Sequence, residues 1–157
     1  MAGVLVMMVG LPGSGKSTYA KKCLETHPDW KYVSRDEVRI DSVSDQAHFF
    51  DHETDVYKEY CNRISMHLIN DDTVIADATH LTISSRKRLL EHLDITPRSI
   101  IVLCIDTPFE VCMARNKKRE GIIKVPKEDM FRLKNRYQRP NTNVETYIDK
   151  VYRVIYE

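Results

Sequence analysis

The chain has 157 residues, of which 42% are hydrophobic and 30% charged, and 24 Lys and Arg against 23 Asp and Glu give a formal net charge of +1. This length predicts a single domain with one core and leaves no room for a second catalytic domain. The near-zero charge excludes a protein held to nucleic acid by bulk positive charge, so any basic site must be local. The four cysteines form no CxxC pair, which predicts reduced thiols in a cytosolic protein rather than disulfides or a zinc site.

The first third of the chain indicates a strand, a helix and a second strand. Residues Val4–Val9 carry no charge and end at a glycine, as a central strand buried on both faces of a parallel sheet does. This run is too short for a signal peptide or a membrane span, so we expect no targeting or membrane segment. A helix over 16–26 and a short strand over 31–34 follow. Apolar residues at helical spacing over about 46–70 predict one long helix or two.

The remainder of the chain continues to alternate strands and helices. The predicted elements are a strand over 73–76, a helix over 83–93, a strand over 99–105, a helix from Pro108 that ends at Gly121, a helix from Pro126 to about 138 and a strand over 151–156. In the helix over 83–93 we expect Arg86, Lys87 and Arg88 to be exposed, either as a solvated face or as a contact to a phosphate backbone. The alternation predicts a three-layer α/β domain with a parallel sheet of about five strands.

Residues 10–18 read GLPGSGKST and fit the pattern G-x-x-x-x-G-K-[ST] between a buried strand and a helix. The glycines let backbone N–H groups form an anion nest, to which the helix N-terminus adds its positive dipole end. We expect Lys16 to reach the β- and γ-phosphates of a nucleoside triphosphate and Ser17 to ligate Mg²⁺. The predicted nucleotide site comprises Gly10, Pro12, Gly13, Ser14, Gly15, Lys16, Ser17 and Thr18. The motif alone does not separate kinases from ATPases or switches.

Two carboxylates follow strands that end at the same edge of the predicted sheet. Asp36 comes directly after the second strand, at the edge where ligands bind in open α/β sheets, and is a candidate general base for a substrate hydroxyl. Arg39 lies one helical turn further on and is a candidate ligand for a substrate phosphate. The alternative is a helix-capping Asp beside a surface Arg. Asp77 ends the third strand and is predicted either to hold Mg²⁺ through a water or to cap a helix or turn.

A basic tract ends the helix that begins at Pro108. Arg115 and Arg119 are four residues apart, so we expect them on one helix face, reaching the nucleotide from a lid over approximately 115–126. The alternative is that these cations complement the helix dipole.

His48 and His52 are also four apart, but they lack the HExxH pattern and are predicted to be helix-surface histidines.

The segments GLPGSGKST, VSRDEVR, IADATHLTISSRKR, RNKKR and RYQRP extend in this order over nearly the whole chain. Together they resemble the 5′-hydroxyl polynucleotide kinases of phages and bacteria. The resemblance implies a P-loop kinase fold with a helical lid, with residues 1–157 as one domain. It also implies transfer of the γ-phosphate of ATP to the 5′-hydroxyl end of DNA or RNA with Mg²⁺, in the cytoplasm of a bacterium or of a phage-infected cell.

The same resemblance assigns roles to individual residues. Asp36 matches the general base, and Arg39 matches the arginine that holds the phosphate next to the accepting hydroxyl. Thr79 lies in the segment that lines the acceptor site. Arg115 and Arg119 match the lid arginines near the adenine and on the transferring phosphate, so Arg119 joins Lys16 and Asp36 as a catalytic candidate.

The sequence departs from the family pattern in two respects. It contains neither a D-x-D-G-T phosphatase motif nor a ligase domain, so we expect this chain to carry kinase activity alone. His80 replaces the common Asn, which leaves the acceptor preference open, as it does the choice between DNA and RNA. The alternatives are a P-loop kinase of a small metabolite, a nucleotide sugar or an aminoacyl-tRNA, and a non-kinase switch or ATPase.

Overall fold

The structure is a computed structural model that describes residues 2–42, 52–121 and 124–155. Within these ranges five strands alternate with six helices. The elements are β1 Val4–Val9, α1 Lys16–Thr26, β2 Lys31–Ser34, α2 Arg35–Ser42, α3 Glu53–Ile69, β3 Thr73–Asp77, α4 Ile83–Glu91, β4 Ser99–Asp106, α5 Phe109–Lys117, α6 Lys127–Arg136 and β5 Lys150–Ile155.

The predicted elements are confirmed, and the differences lie mainly at their ends. The first strand, first helix and second strand have the predicted bounds. The long helix α3 begins at Glu53, and His48, Phe49 and Phe50 lie outside the described residues. The last strand begins one residue earlier than predicted, at Lys150.

The five strands form one parallel sheet in the order β2-β3-β1-β4-β5, with β1 at the centre as predicted. Met7 of β1 pairs with Ala76 on one side and Val102 on the other. Because β1 has a strand on each side and helices above and below, it tolerates no polar residue. The register pairs Ser34 with Asp77, so β2 and β3 end at the same level.

Helices cover both faces of the sheet, which confirms the three-layer architecture. Successive side chains of a strand point to opposite faces. Accordingly, Leu5 and Met7 pack in the cluster that includes residues of α3 and α4, whereas Val6 and Met8 pack with Ala20 of α1. A third apolar cluster links the loop after β1 to α5 and α6 and consists of Leu11, Leu81, Cys112 and Met130. The loop therefore rests on packed helices.

The prediction that Arg86 is exposed is wrong, although Lys87 and Arg88 are exposed as expected. Arg86 is fully buried, and its Nε donates to Glu145 Oε1 at 2.6 Å. Two further donors bind the carbonyl oxygens of His80 and Gln138, at 2.7 and 2.9 Å. The side chain is buried because a carboxylate and two carbonyl groups, all distant in sequence, satisfy its charge and donors.

Three further observations concern disulfides, metal sites and membrane-spanning helices. All four cysteines are unpaired thiols, of which Cys61, Cys104 and Cys112 are buried. Among the described residues no three His, Cys, Asp or Glu side chains are grouped as metal ligands. Nor is any helix in these ranges both long and apolar enough to cross a membrane.

Candidate active site

The glycines of the phosphate loop allow a backbone path that other residues would strain. Gly13 and Gly15 have φ angles of 81° and 97°, in the left-handed region. A Cβ atom on Gly13 would lie 2.6 Å from the carbonyl oxygen of Cys112, so α5 packs against the loop only because the side chain is absent. The loop turns immediately after β1 and leads into α1 at Lys16.

Hydrogen bonds fasten this loop to neighbouring strand ends. The Gly10 N–H donates to the carbonyl oxygen of Thr79, which follows β3, at 3.1 Å. Thr107, after β4, donates its hydroxyl to the carbonyl oxygen of Ser14 at 2.7 Å, and Arg115 donates to that of Gly13 at 3.3 Å. These bonds fix the path of the loop between β1 and α1.

Ser17 and Asp77 meet at the base of the loop, as the shared sheet edge predicts. The Ser17 hydroxyl donates to Asp77 Oδ2 at 2.7 Å, and the Tyr32 hydroxyl donates to the same oxygen. Burial and the adjacent Asp77 carboxylate raise the pKa of Tyr32, which keeps it a donor. Burial lowers the pKa of Lys16, although the charges of Asp77 and Asp36 oppose this shift. The oxygen atoms of Ser17 and Asp77 are of the hard type that Mg²⁺ prefers.

Tyr32 was not among the sequence candidates. It lies on β2, opposite Ile75 of β3, and reaches the end of β3 across the sheet. Strand register decides this contact, and no motif in the sequence marks it.

Asp36 lies beside a buried arginine on the first turn of α2. The Arg39 Nη1 donates to Asp36 Oδ1 at 2.5 Å, while Arg39 Nε donates to Glu53 Oε2 at 3.0 Å. Burial lowers the pKa of Arg39, but the carboxylates of Glu53 and Asp36 outweigh burial and raise it. The Asp36 side chain is 67% exposed, compared with 8% for Arg39. The carboxylate is therefore held by one fixed guanidinium and remains accessible.

The alternative in which Asp36 caps the helix does not match the geometry. Ser34 Oγ accepts the Glu37 N–H at 3.3 Å, so Ser34 takes the capping position. Glu53, a second partner of Arg39, was not predicted from the sequence. It enters from the first turn of α3, and an acidic residue there is equally typical of an ordinary helix start.

Two cavities flank the phosphate loop. One, of about 460 Å³, is lined by Gly13, Gly15, Thr18 and Arg115. The other, of about 370 Å³, is lined by Pro12, Lys16, Ser17, Asp36, Arg39, Asp77 and Thr79. We call them the donor cavity and the acceptor cavity, after the substrates that the sequence predicts for them. Arg119 lines both, so it lies where the two cavities meet.

Arg115 and Arg119 both reach the site, but not from one helix face as predicted. Helix α5 ends at Lys117, two residues before Arg119. The Lys118 and Arg119 N–H groups donate to the carbonyl oxygens three residues earlier, which tightens the last turn and ends the α-helix. Asn116 exchanges two side-chain hydrogen bonds with the backbone of Val125 and so joins the ends of the predicted lid. Residues 122–123 of that lid lie outside the described ranges.

His80 is buried directly after Thr79, one of the residues that line the acceptor cavity. It is buried at a φ of 44°, with Nδ1 2.6 Å from the Met8 carbonyl oxygen and Nε2 3.2 Å from the Tyr60 hydroxyl. Burial lowers its pKa to about 4, so the ring is neutral at pH 7. Through these two contacts His80 links β1 to α3.

The family of the chain follows from its sequence match to a family model. The model of the AAA domain family matches residues 5–140. The chain belongs to this family. No curated protein matches the sequence.

Solved structures establish the fold of this AAA domain. A chain of the Pnkp1/Rnl/Hen1 RNA repair complex is 27% identical with a TM-score of 0.71, and the match covers 86% of this chain and 44% of that one. Kti12 from Chaetomium thermophilum, in complex with ADP-AlF3, is 19% identical with a TM-score of 0.72 and coverages of 98% and 89%. A sugar kinase from Janibacter sp. is 19% identical with a TM-score of 0.63 and coverages of 99% and 85%. The chain has the P-loop kinase fold.

Proposed function

We propose that this protein is an ATP-dependent 5′-hydroxyl polynucleotide kinase, a single kinase domain that transfers the γ-phosphate of ATP to the 5′-hydroxyl end of DNA or RNA. One observation carries the proposal: the exposed Asp36 carboxylate lies beside the buried Arg39 guanidinium, in the cavity that Lys16 also lines. A carboxylate suits a hydroxyl that must lose a proton, and a guanidinium suits a phosphate. The terminal nucleotide of a 5′-hydroxyl strand presents both groups together.

On the donor side, the phosphate loop binds the triphosphate through its backbone N–H groups and Lys16. Arg115 contacts the nucleoside end, and Arg119, between the two cavities, contacts the transferring phosphate. Ser17 would hold Mg²⁺ directly and Asp77 would do so through a water. When bound, Mg²⁺ neutralises charge on the β- and γ-phosphates.

In the transfer step, Asp36 accepts the proton of the 5′-hydroxyl while the hydroxyl oxygen bonds to the γ-phosphorus. The bond from the γ-phosphorus to the β–γ bridging oxygen breaks, and ADP leaves. Lys16 and Arg119 stabilise the charge on the transferring group, and Arg39 binds the phosphate next to the accepting hydroxyl. Thr79 contacts the same nucleotide from the loop after β3.

The similar solved structures support the proposal unequally. The 27% identical chain belongs to a complex described as acting in RNA repair, which agrees with a nucleic acid acceptor. The sugar kinase covers nearly all of this chain but shares only the fold. A sugar without a phosphate would leave the Arg39 guanidinium without a substrate group to bind.

The decisive experiment measures transfer of labelled γ-phosphate from ATP with Mg²⁺. The acceptors are a 5′-hydroxyl oligonucleotide as DNA and as RNA, the same oligonucleotides already 5′-phosphorylated, and a panel of sugars. We expect label only on the 5′-hydroxyl oligonucleotides. Label on a sugar instead would indicate a metabolite kinase, and acceptor-independent release of phosphate would indicate an ATPase; either result would contradict the proposal.

A further inference from the structure

A third cavity, of about 170 Å³, adjoins the acceptor cavity. The two share the wall residues Arg35, Ala78, Thr79 and Leu133. The smaller cavity extends from this shared wall between α3, α4 and α6, away from the phosphate loop. A single substrate molecule could therefore extend from the acceptor cavity into this smaller one.

Three arginines from three different helices line this cavity. Arg35 belongs to α2, Arg88 to α4 and Arg136 to α6. Among the described residues no carboxylate lines the cavity, and none of the three arginines forms an ion pair. The other arginines of α4 and α6 differ in this respect, because Arg86 pairs with Glu145 and Arg132 with Asp129.

Tyr57 aligns two of these cations. The guanidinium carbons of Arg35 and Arg88 lie 5.2 and 4.3 Å from the centre of its ring. The ring itself is buried, so it is a fixed platform for the charges. Its face is covered by a guanidinium, which favours an anion over a stacked base in this cavity.

The cavity carries three positive charges, of which one includes a buried donor. Arg88 and Arg136 are exposed to solvent, whereas the Nε of Arg35 is buried with no hydrogen-bond partner among the described residues. Guanidinium groups match the oxygen atoms of a phosphate in geometry as well as in charge. A phosphate in the cavity would accept a hydrogen bond from Arg35 and bring negative charge to three cations that have no carboxylate partner in the described part of the chain.

We infer that Arg35, Arg88 and Arg136 form a second phosphate subsite for the acceptor strand. This inference rests on the proposed kinase function. The subsite binds a phosphodiester beyond the one at Arg39, further from the 5′ end. It makes the enzyme prefer a strand with at least two phosphates over a nucleoside 3′-monophosphate, although both present the same reacting hydroxyl.

The test compares two acceptors in one double variant, Arg88→Gln with Arg136→Gln. The acceptors are a nucleoside 3′-monophosphate and a 5′-hydroxyl trinucleotide. We expect the ratio of KM for the trinucleotide to KM for the mononucleotide to rise about tenfold, because hydrogen bonds to one charged phosphate are lost. Lys87→Gln is the matched control, since Lys87 lies on the same helix outside the cavity and should leave the ratio unchanged.

Binding of a labelled trinucleotide gives a readout independent of catalysis. In the wild-type protein the logarithm of the binding constant should fall with the logarithm of salt concentration, and the double variant should reduce that slope by about 0.7 for the one lost phosphate contact. The subsite would be overturned if the double variant leaves both the KM ratio and the salt dependence of binding unchanged. It would also be overturned if the double variant raises KM equally for both acceptors. A wild-type protein that binds the trinucleotide with the expected slope but transfers nothing to it would overturn the proposed kinase and leave the subsite. Absence of both binding and transfer would overturn both.

Discussion

The donor and acceptor cavities open at the same sheet edge, but the first is formed mainly by one backbone loop and the second by side chains from several elements. The donor side centres on nine consecutive residues, 10–18, whose shape depends on glycine conformation and on hydrogen bonds to the loop backbone, two of them from the side chains of Thr107 and Arg115. The acceptor side is assembled from side chains of α2, α3 and the loop after β3, with Arg39 held between Asp36 and Glu53. A local motif can specify the first arrangement, whereas the second needs the whole fold.

The donor and acceptor sides also differ in how their charged groups are paired. The donor loop offers N–H groups and Lys16 to a polyanion, and it needs no acidic partner to keep its shape. On the acceptor side, Arg39 is paired with both Asp36 and Glu53, and the buried Arg86 is paired with Glu145. Substitutions should therefore remove one contribution on the donor side but disturb several on the acceptor side.

The largest effect is expected at the donor loop, with Lys16→Met. Loss of charge stabilisation in the transition state reduces kcat by about 10²–10³, and weaker nucleotide binding brings the loss in kcat/KM to about 10³–10⁴. Steady-state kinetics with varied ATP measure both terms. Lys21→Met, on the exposed side of the same helix, should retain wild-type values. Equal kinetics in the two variants would remove Lys16 from the site.

On the acceptor side, Asp36→Asn is expected to lower kcat by about 10²–10⁴, because the proton acceptor is lost. Nucleotide affinity, measured by titration with a fluorescent ATP analogue, should stay at the wild-type value. Glu37→Gln removes a neighbouring exposed carboxylate as a control. Turnover of Asp36→Asn close to that of the control would show that another group is the base.

In the interior of the domain, Arg86→Met tests the buried ion pair with Glu145. Its removal leaves the Glu145 carboxylate buried without its partner and should lower the free energy of unfolding by about 3–5 kcal/mol. Burial raises the pKa of Glu145, but the Arg86 guanidinium and the Asn141 N–H outweigh burial and hold it below its usual range. Urea unfolding measures the loss, and Lys87→Gln should change stability by less than about 0.5 kcal/mol. A similar small change for Arg86→Met would mean that the pair contributes little.

The smallest effect is a pH dependence of stability that originates at His80. Burial lowers the pKa of His80 from 6.5 to about 4, so below pH 6.5 the unfolded chain takes up a proton that the folded protein does not. The free energy of unfolding should fall by about 3 kcal/mol as the pH drops from 6.5 to 4. His80→Asn should flatten this slope, whereas His27→Asn, at an exposed position, should preserve it. Equal slopes in the two variants would mean that a group other than His80 takes up the proton.

The sequence by itself determined the α/β alternation, the central β1 strand and the phosphate loop. These features depend on short-range properties: an uncharged apolar run, glycines at fixed spacing and a helix that starts at Lys16. The sequence also placed Asp36 and Asp77 at one edge of the sheet, because the strand ends of a parallel sheet meet there. Thr79 was indicated by the family resemblance alone.

Only the tertiary structure decided the partners of these residues. Glu53, Tyr32 and Glu145 contact functional or supporting side chains from distant parts of the chain, and nothing in their own sequence neighbourhood distinguishes them from surface residues. The same holds for Arg86 and Arg88 on α4: helix rotation buries the first against Glu145 and places the second over Tyr57. Whether a charged residue is solvated, paired or poised for a ligand depends on which groups the fold brings to it, because the free energy of a charge is set by its surroundings.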